Sequence, residues 1–206
     1  MNMAVDEIFW QSATSPRLRF YAWDHPALSF GYFGRYSDVV EFEAEREMVR
    51  RCTGGGIVFH GADLTYALVI PATELPPGTS STAVYRIVHE AIRSTLDQLG
   101  IAAALVATDA PKKSGDFTRA CFTNPVAADV LVRDTKIAGA AQRRSRRGLL
   151  QQGSIQNIAL PEDFRERFVA RLCSKSVARP IDSAILAEAS KLADEKYGTE
   201  SWLKRR

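Results

Sequence analysis

A run of three glycines at residues 54–56 interrupts a stretch that otherwise reads as two short β-strands, at 48–51 and 57–59. Glycine weakens strand interiors, so the run predicts a loop where the backbone can approach a ligand closely. Arg50 and Arg51 precede it and supply fixed positive charge, and the N–H groups of such loops can receive an anion or an acyl oxygen. A plain turn would also fit the run. The run lacks the Gly-Lys-Ser/Thr ending of a P-loop.

The rest of the chain alternates between strand patterns and a few helical ones. Alternation of apolar with charged or polar residues predicts strands at 17–23 and 27–33. Further strands are predicted at 48–51, 57–59, 64–70, 103–107, 127–132, 136–142 and 149–157. Residues 79–99 predict a helix with one apolar face, and Gly100 follows its end. Apolar residues about four apart predict two terminal helices within about 161–206, while 36–46 and 111–119 suggest loops, the first with a short helix.

Composition limits the class of protein. A chain of 206 residues with 46% hydrophobic content and no linker is expected to form one domain over 1–206. Three scattered cysteines are too few for a disulfide framework or a zinc site, so we predict a reducing compartment and no metal. The absence of a membrane-length apolar run or a signal-peptide pattern predicts a cytoplasmic protein without a membrane partner. A net charge of +3 is too small to favour nucleic acid.

A second segment, at 136–142, starts a strand with one lysine and continues with small residues. Gly139, Ala140 and Ala141 leave space beside the backbone, and they could form the wall of a narrow apolar tunnel. Lys136 could stabilise a carbonyl or phosphate oxygen with its ammonium group. An edge lysine that blocks aggregation is the alternative, and a lysine at a strand start is expected to contribute little to folding.

Taken together, these segments resemble the lipoate-protein ligase A and octanoyltransferase family. The similar segments are Arg-Arg-x-Thr-Gly-Gly-Gly-x-Val-x-His at 50–60, Lys-Ile-Ala-Gly-x-Ala-Gln at 136–142, Gln-Gly-Ser-Ile at 152–155, Asn-Met-Ala-x-Asp-Glu at 2–7, and Lys-Tyr with a later Trp at 196–202. They cover nearly the whole chain in the family's order. Each segment is modest alone, but the set is specific.

The resemblance implies an α+β fold, a mixed and mostly antiparallel sheet flanked by helices, with the acyl chain held between the glycine loop and the lysine strand. It makes Lys136 the catalytic lysine. The residues that it implies for substrate binding are Arg51, Gly54, Gly55, Gly56, His60, Gly139, Ala141, Gln142 and Gly153. The family often has aspartate after this histidine, where the chain has Gly61, so a contact from that carboxylate is in doubt. His60 could equally be a structural hydrogen-bonding residue.

The family divides by how the acyl group is activated, and the segment Ala-Cys-Phe-x-x-Pro-x-x-x-Asp at 120–129 resembles the cysteine segment of its octanoyltransferases and amidotransferases. A thiolate at Cys121 would attack a thioester, and a nearby Lys136 would lower the thiol pKa from its free value near 8.5. Local charge alone favours Cys52, beside the two arginines. Cys121 could also be only a buried hydrophobe, and Cys173 is expected to pack in the interior.

We therefore predict an acyltransferase that moves an octanoyl or lipoyl group from a carrier-protein thioester, through a cysteine acyl-enzyme, to a lysine of a lipoyl-dependent protein. The resemblance implies an acyl carrier protein or H protein as donor, a lipoyl domain or H protein as acceptor, and no cofactor. The first alternative is an ATP-dependent lipoate-protein ligase, which would need ATP and magnesium. The early end of the chain, without the accessory domain of many ligases, favours transfer. The second alternative is a non-catalytic acyl- or carrier-binding module.

The net positive charge is partly concentrated in the arginine turn, residues 143–147, which contains four arginines between two predicted strands. The partners implied by the resemblance are typically acidic. The turn could therefore steer them toward one end of the acyl tunnel. A solvated hairpin tip explains the same charges equally well.

Overall fold

The computed structural model describes residues 1–108 and 125–205, and its largest element is a six-stranded antiparallel sheet. In spatial order its strands are β1 (Arg17–Tyr21), β5 (Leu64–Pro71), β9 (Gly148–Ile155), β8 (Thr135–Ser145), β7 (Val130–Val132) and β6 (Ala104–Leu105). The long β8–β9 hairpin pairs Ala138 with Ile155 and Ser145 with Gly148. The predicted hairpin around the arginine turn is confirmed.

A second sheet of three strands lies beside the first. Its central strand β2 (Ala27–Phe30) pairs in parallel with β3 (Glu47–Arg50) and antiparallel with β4 (Val58–His60). The glycine loop joins β3 to β4. The predicted mixed, mostly antiparallel architecture is confirmed, but it is divided between two sheets.

Five α-helices are present in the described part of the chain: α1 (Asn2–Ser12), α2 (Ser81–Gln98), α3 (Phe164–Leu172), α4 (Ser183–Leu192) and α5 (Glu200–Leu203). Short turns of 3-10 helix occur at Tyr36–Asp38, Val40–Phe42 and Ala72–Glu74, and a π turn at Ala193–Tyr197. Helix α2 begins where the Ser80 hydroxyl accepts from the Ala83 N–H, a standard N-cap. No helix among the described residues is long and apolar enough to cross a membrane.

The large sheet is covered on both faces, because alternate residues of each strand point to opposite sides. On one face Tyr66 and Leu68 of β5 join the core beneath α2 and α3. On the other face Ala67 and Val69 pack with α1 and α4. The periodicity of β5 therefore separates two apolar cores, and the small sheet sits on the α1 side.

The segments of the chain ends that resemble the family meet in space. Glu7 of α1 is buried and accepts hydrogen bonds from Lys196 Nζ and Tyr197 Oη, both at 2.6 Å. The Trp202 indole donates to the Arg50 carbonyl at 3.0 Å. Residues nearly 200 positions apart thus complete one buried polar network.

Three expectations need correction. The strand expected at 127–132 begins only at Val130, because Ala128 has a positive φ of 67° and Asp129 closes a turn onto the Val126 carbonyl. The strand expected at 103–107 is only two residues long. Cys173 follows α3 and is exposed, so it does not pack in the interior. The loop expected at 111–119 lies outside the described residues.

At one end of the small sheet, Gly31 follows β2 and packs directly against the glycine loop that joins β3 to β4. A Cβ atom at Gly31 would lie 2.1 Å from the Gly55 carbonyl oxygen and 2.6 Å from that of Gly54. Both neighbours are backbone atoms, which cannot rotate away. Only glycine at position 31 permits this close approach of the two backbone segments, a requirement that the sequence analysis did not identify.

Gly31→Ala is expected to destabilise the protein by roughly 1–3 kcal/mol, because the loop must shift to admit the methyl group. Gly61→Ala is the matched control, since a Cβ there meets nothing within 4 Å and should change stability by less than about 0.5 kcal/mol. Urea unfolding of both variants gives the two values. Equal stability of the variants would contradict the proposed close packing.

Candidate active site

A cavity of about 170 Å³ lies between the large sheet and the small one. It is lined mainly by apolar and small residues, with a few polar groups. The lining comprises Met3, Tyr21, Ser29, Arg51, Gly55, Val58, His60, Thr65, Tyr85, Val126, Lys136, Gly139, Ala140, Ala141, Gln152, Gly153 and Ser154. Such a cavity suits a narrow, largely apolar ligand with one polar end.

The cavity brings together residues from both segments singled out in the sequence. Of the predicted site residues, those that line it are Arg51, Gly55, His60, Lys136, Gly139, Ala141 and Gly153. Gly54, Gly56 and Gln142 do not line it. The Gly54 N–H faces the Gln142 carbonyl at 3.4 Å, and the Gly54 and Gly56 carbonyls accept from Arg51, so these residues hold the loop in place.

Lys136 forms a buried ion pair at one end of the cavity. Its Nζ lies 2.8 Å from Asp129 Oδ2, and the two side chains are 4% and 0% exposed. Asp129 also accepts hydrogen bonds from the Tyr85 hydroxyl and, at 2.7 Å, from the Val126 N–H. Several donors therefore compensate the buried carboxylate, and the carboxylate fixes the lysine ammonium in position.

The edge-lysine alternative is wrong, because Lys136 is not on an exposed strand edge. The expectation that it contributes little to folding is wrong as well. Removing it would leave Asp129 buried without its cation, which typically costs about 3–5 kcal/mol. Loss of activity in Lys136→Ala alone would therefore not separate chemistry from stability.

Two of the predicted site residues, Gly139 and Gly153, must be glycine for different physical reasons. A Cβ at Gly139 would lie 2.7 Å from Lys136 Cε and 2.9 Å from its Nζ, so glycine leaves the space in which the lysine side chain lies. A Cβ at Gly153 would lie 2.3 Å from the Tyr66 ring on the other face of the sheet. Gly139 thus leaves space for the ion pair, and Gly153 leaves space for the Tyr66 ring in the core behind the cavity.

His60 forms the centre of a hydrogen-bonded row on the small sheet. Its Nδ1 lies 2.9 Å from Asp63 Oδ2, and its Nε2 lies 2.6 Å from Ser29 Oγ. Burial lowers the pKa of His60, so the ring is neutral: Nδ1–H donates to Asp63 and Nε2 accepts from the serine hydroxyl. The carboxylate that contacts His60 comes from Asp63, three residues after the histidine, a contact that the spacing His-Gly-Ala-Asp could have indicated.

Asp63 anchors this row to the large sheet. Its Oδ2 also accepts from Thr65 Oγ1 at 2.8 Å and from Ser154 Oγ at 2.6 Å. Burial would raise the pKa of Asp63, but the hydrogen bond from His60, the charge that His60 carries when it is protonated in acid, and the bonds from Ser154 and the Gly61 N–H lower it to about 2. The carboxylate is therefore ionised at neutral pH.

Arg51 fixes the glycine loop from inside. It donates to Ser29 Oγ at 2.7 Å and to the Gly54 and Gly56 carbonyls at 3.0 and 2.7 Å. Gly55 takes a positive φ of 82° between those two carbonyls. The guanidinium therefore shapes the loop and also faces the cavity.

The three cysteines differ in their access to the cavity. Cys52 is 2% exposed and does not line the cavity, and burial, with Glu7 nearby, raises its pKa to about 11. Adjacent arginines therefore do not activate it, in contrast to the inference from local charge. Cys121 lies outside the described residues. Val126, five positions after it in the chain, lines the cavity near Lys136.

The sequence analysis missed several residues of the site. Met3, Tyr21, Ser29, Thr65 and Tyr85 line the cavity, yet they come from five separate elements or their flanks, and no local motif joins them. Asp129 was part of a matched segment without a role of its own. In the described ranges no group of three or more His, Cys, Asp or Glu side chains is arranged to hold a metal ion.

Comparison with known proteins gives a consistent result. The family model of the lipoyl protein ligase A/B catalytic domain matches residues 1–194. Among curated proteins, the chain is 33% identical to octanoyltransferase LipM of Symbiobacterium thermophilum over all of this chain and 94% of that protein. It is 36% identical to LipM of Bacillus subtilis over 86% of this chain and 72% of the relative. It is 38% identical to LipM of Kyrpidia tusciae, but spans only 60% of that relative's length.

Solved structures share the fold at low sequence identity. A lipoate-protein ligase A solved with ATP bound superposes with a TM-score of 0.78 at 21% identity, covering 98% of this chain and 92% of that one. The bi-partite lipoate protein ligase of Thermoplasma acidophilum gives 0.76 at 20% identity, with coverages of 98% and 90%. At this identity the superpositions establish the fold alone.

The depressed pKa of Asp63 predicts an acid-sensitive contribution to stability. A carboxyl group whose pKa falls on folding from 3.8 to about 2 stabilises the folded state above the unfolded pKa, and the contribution is lost as the pH falls toward 2. Between about pH 5 and pH 2, the free energy of unfolding of Asp63→Asn should therefore fall by about 2 kcal/mol less than that of the wild type. Urea unfolding across that range measures it, and Asp24→Asn, at an exposed position, is the control. Parallel pH profiles for all three proteins would refute the assignment.

Proposed function

The chain belongs to the lipoyl protein ligase A/B catalytic domain family, and on that premise we propose that it is an octanoyltransferase that acylates a lysine of a lipoyl-dependent protein. One observation carries the proposal: the buried Lys136–Asp129 pair stands at one end of an apolar cavity formed by the glycine loop and the lysine strand. The similarity to LipM octanoyltransferases supports an octanoyl group as the substrate.

The reaction has two balanced steps. The Cys121 thiol gives up its proton and attacks the carbonyl of the octanoyl thioester; a new C–S bond forms, the bond to the donor's sulfur breaks, and the departing sulfur takes up that proton. The ε-amine of the acceptor lysine then attacks the acyl-cysteine. An amide bond forms, the C–S bond to Cys121 breaks, and the proton lost by the amine goes to the departing sulfur, which regenerates the Cys121 thiol.

Lys136 would stabilise the oxygen that becomes negative during both attacks. A fixed cation is effective there because the surroundings exclude water and the ammonium needs no reorientation. Asp129 and Tyr85 hold the ammonium in place, and Gly139 leaves space for its chain.

The ATP-dependent ligase is the competing function. The chain shares its fold with a lipoate-protein ligase that was solved with ATP. A ligase would adenylate free lipoate with ATP and magnesium, whereas the transferase needs no nucleotide because its substrate is already activated. The donor, an acyl carrier protein or H protein, and the acceptor, a lipoyl domain or H protein, are part of the transferase proposal.

The arginine turn is proposed as the partner-facing region, with one change from the sequence-based hypothesis. Arg143 is half-buried: its guanidinium lies 4.9 Å from the Trp10 ring centre, and its Nη1 donates to the Cys52 carbonyl at 3.3 Å. Arg144, Arg146 and Arg147 are exposed. Three arginines, rather than four, are therefore available to attract an acidic partner.

Incubation with octanoyl-acyl carrier protein alone should leave an acyl adduct on Cys121 that hydroxylamine removes. Intact-mass spectrometry of the wild type, Cys121→Ser, Cys52→Ser and Cys173→Ser reads the result. Only Cys121→Ser should abolish the adduct, because Cys52 is buried with a raised pKa and Cys173 lies on the surface after α3.

Two results would replace this mechanism. Persistence of the adduct in Cys121→Ser and its loss in Cys52→Ser would move the nucleophile to the buried thiol. Failure of any adduct to form, combined with acceptor modification by lipoate, ATP and magnesium, would make the protein a ligase.

Replacing Arg144, Arg146 and Arg147 with glutamine should lower the rate of transfer from the carrier protein and flatten its salt dependence, since long-range charge acts mainly on the encounter rate. Turnover of a small octanoyl thioester should stay unchanged and serves as the control. Stopped-flow measurements at several ionic strengths give the association rate with the carrier protein and its dependence on salt. Identical salt slopes in variant and wild type would assign the turn to a solvated hairpin tip.

A further inference from the structure

We infer that Met3 of α1 forms the closed end of the cavity and sets the longest acyl chain that the site accepts. The inference rests on the proposed function, since it takes the cavity to hold an acyl chain. It assigns a specificity role to a residue outside both the glycine loop and the lysine strand.

The cavity crosses the large sheet from β8 to β1. Gly139 is paired with Ser154, Ser154 with Thr65, and Thr65 with Tyr21, so these four residues form one row across four strands. All four line the cavity. Three inter-strand spacings amount to about 14 Å, which accommodates a medium-length chain lying across the strands.

The two ends of this row differ in solvent access. At the β8 end the lining includes Val126, which is 45% exposed, and Lys136, whose ammonium pairs with Asp129. At the β1 end it includes Met3, which is only 4% exposed. The reactive carbonyl belongs beside the lysine, so the methyl end of the chain points toward Met3.

The polar groups around the closed end are fixed. Gln152 Nε2 donates to Asp6 Oδ2 at 2.8 Å and contacts Met3 Sδ at 3.3 Å. The Tyr21 hydroxyl donates to the same Asp6 oxygen at 2.9 Å, and Arg19 pairs with Oδ1 at 2.8 Å. Moving Tyr21 or Gln152 would leave Asp6 buried with fewer partners.

Among the described residues at this end, Met3 can be replaced at the loss of only its Sδ contact with Gln152, because Asp6 keeps its bonds from Gln152, Tyr21 and Arg19. Its side chain is unbranched and polarizable, so it fills the remaining volume instead of holding a charge. Its size therefore determines where the chain must stop. A smaller residue at position 3 should leave room for additional methylene groups.

Met3→Ala should raise the ratio of decanoyl or dodecanoyl to octanoyl transfer by at least roughly tenfold, since each methylene admitted to an apolar pocket changes discrimination by about this factor. Competition among C6, C8, C10 and C12 acyl-carrier thioesters, read by the mass of the modified acceptor, gives the ratio. Met3→Leu, which nearly conserves volume, should keep the wild-type ratio.

Ile8→Ala is the matched control for lost packing. Ile8 is on the same helix and in the same core, but it does not line the cavity. It should lower stability as Met3→Ala does and leave the chain-length ratio unchanged. An equal change of ratio in both variants would show that a loosened α1, and not the wall at Met3, governs chain length.

Binding separates this inference from the proposed function. Calorimetry with octanoic, decanoic and dodecanoic acid measures the affinity of the cavity for each chain length without any transfer reaction. A wild type that transfers no octanoyl group would refute the proposed function. A shift of the binding preference of Met3→Ala toward longer acids would still support Met3 as the residue that limits chain length. A Met3→Ala variant whose preference is unchanged in binding overturns the inference, whether or not transfer occurs.

Discussion

Two adjacent buried arginines determine how the parts of this protein are joined. Arg50 is 1% exposed, and its guanidinium donates to the carbonyls of Tyr32 and Gly34 near the small sheet and of Trp202, Leu203 and Arg205 at the C-terminal end. Arg51, whose side chain follows a different path, holds the glycine loop. Buried guanidinium groups must have acceptors for their fixed donors, so the chain has to bring those carbonyls together. Arg50 thereby ties the small sheet to the C-terminal end, and Arg51 fixes the glycine loop, whose Gly55 lines the cavity.

The same requirement organises the carboxylates around the cavity. Asp6, Glu7, Asp63 and Asp129 are buried, and each has a cationic or hydrogen-bonding partner on a different element. Of the lysine and arginine partners of these four carboxylates, Arg19, Lys196 and Lys136, the last lines the cavity. The polar network thus provides structural support, and at one point it presents a positive group to a ligand. Placing that group on a braced sheet instead of a flexible loop supports its proposed catalytic role.

Much of the fold could be predicted from the sequence, because strand and helix periodicities are local. The helix at 79–99 and the β8–β9 hairpin were expected close to their observed bounds, and helices were expected within 161–206, where the structure has three instead of two. Prediction was poorer where tertiary contacts override the pattern. The strand expected from residue 127 is shortened by a turn whose carboxylate, Asp129, is needed for Lys136.

The sequence alone determined the segments that resemble the family, since these depend on residue types at short spacings, and the resemblance in turn implied the fold class and the pairing of a glycine loop with a lysine strand. Only the tertiary structure decided that Asp63 is the carboxylate that contacts His60, and that Gly31 must be glycine because the glycine loop packs against it. It also decided that Cys52 is too buried to react readily. Burial and contact distance arise from residues far apart in the chain, and no local pattern encodes them.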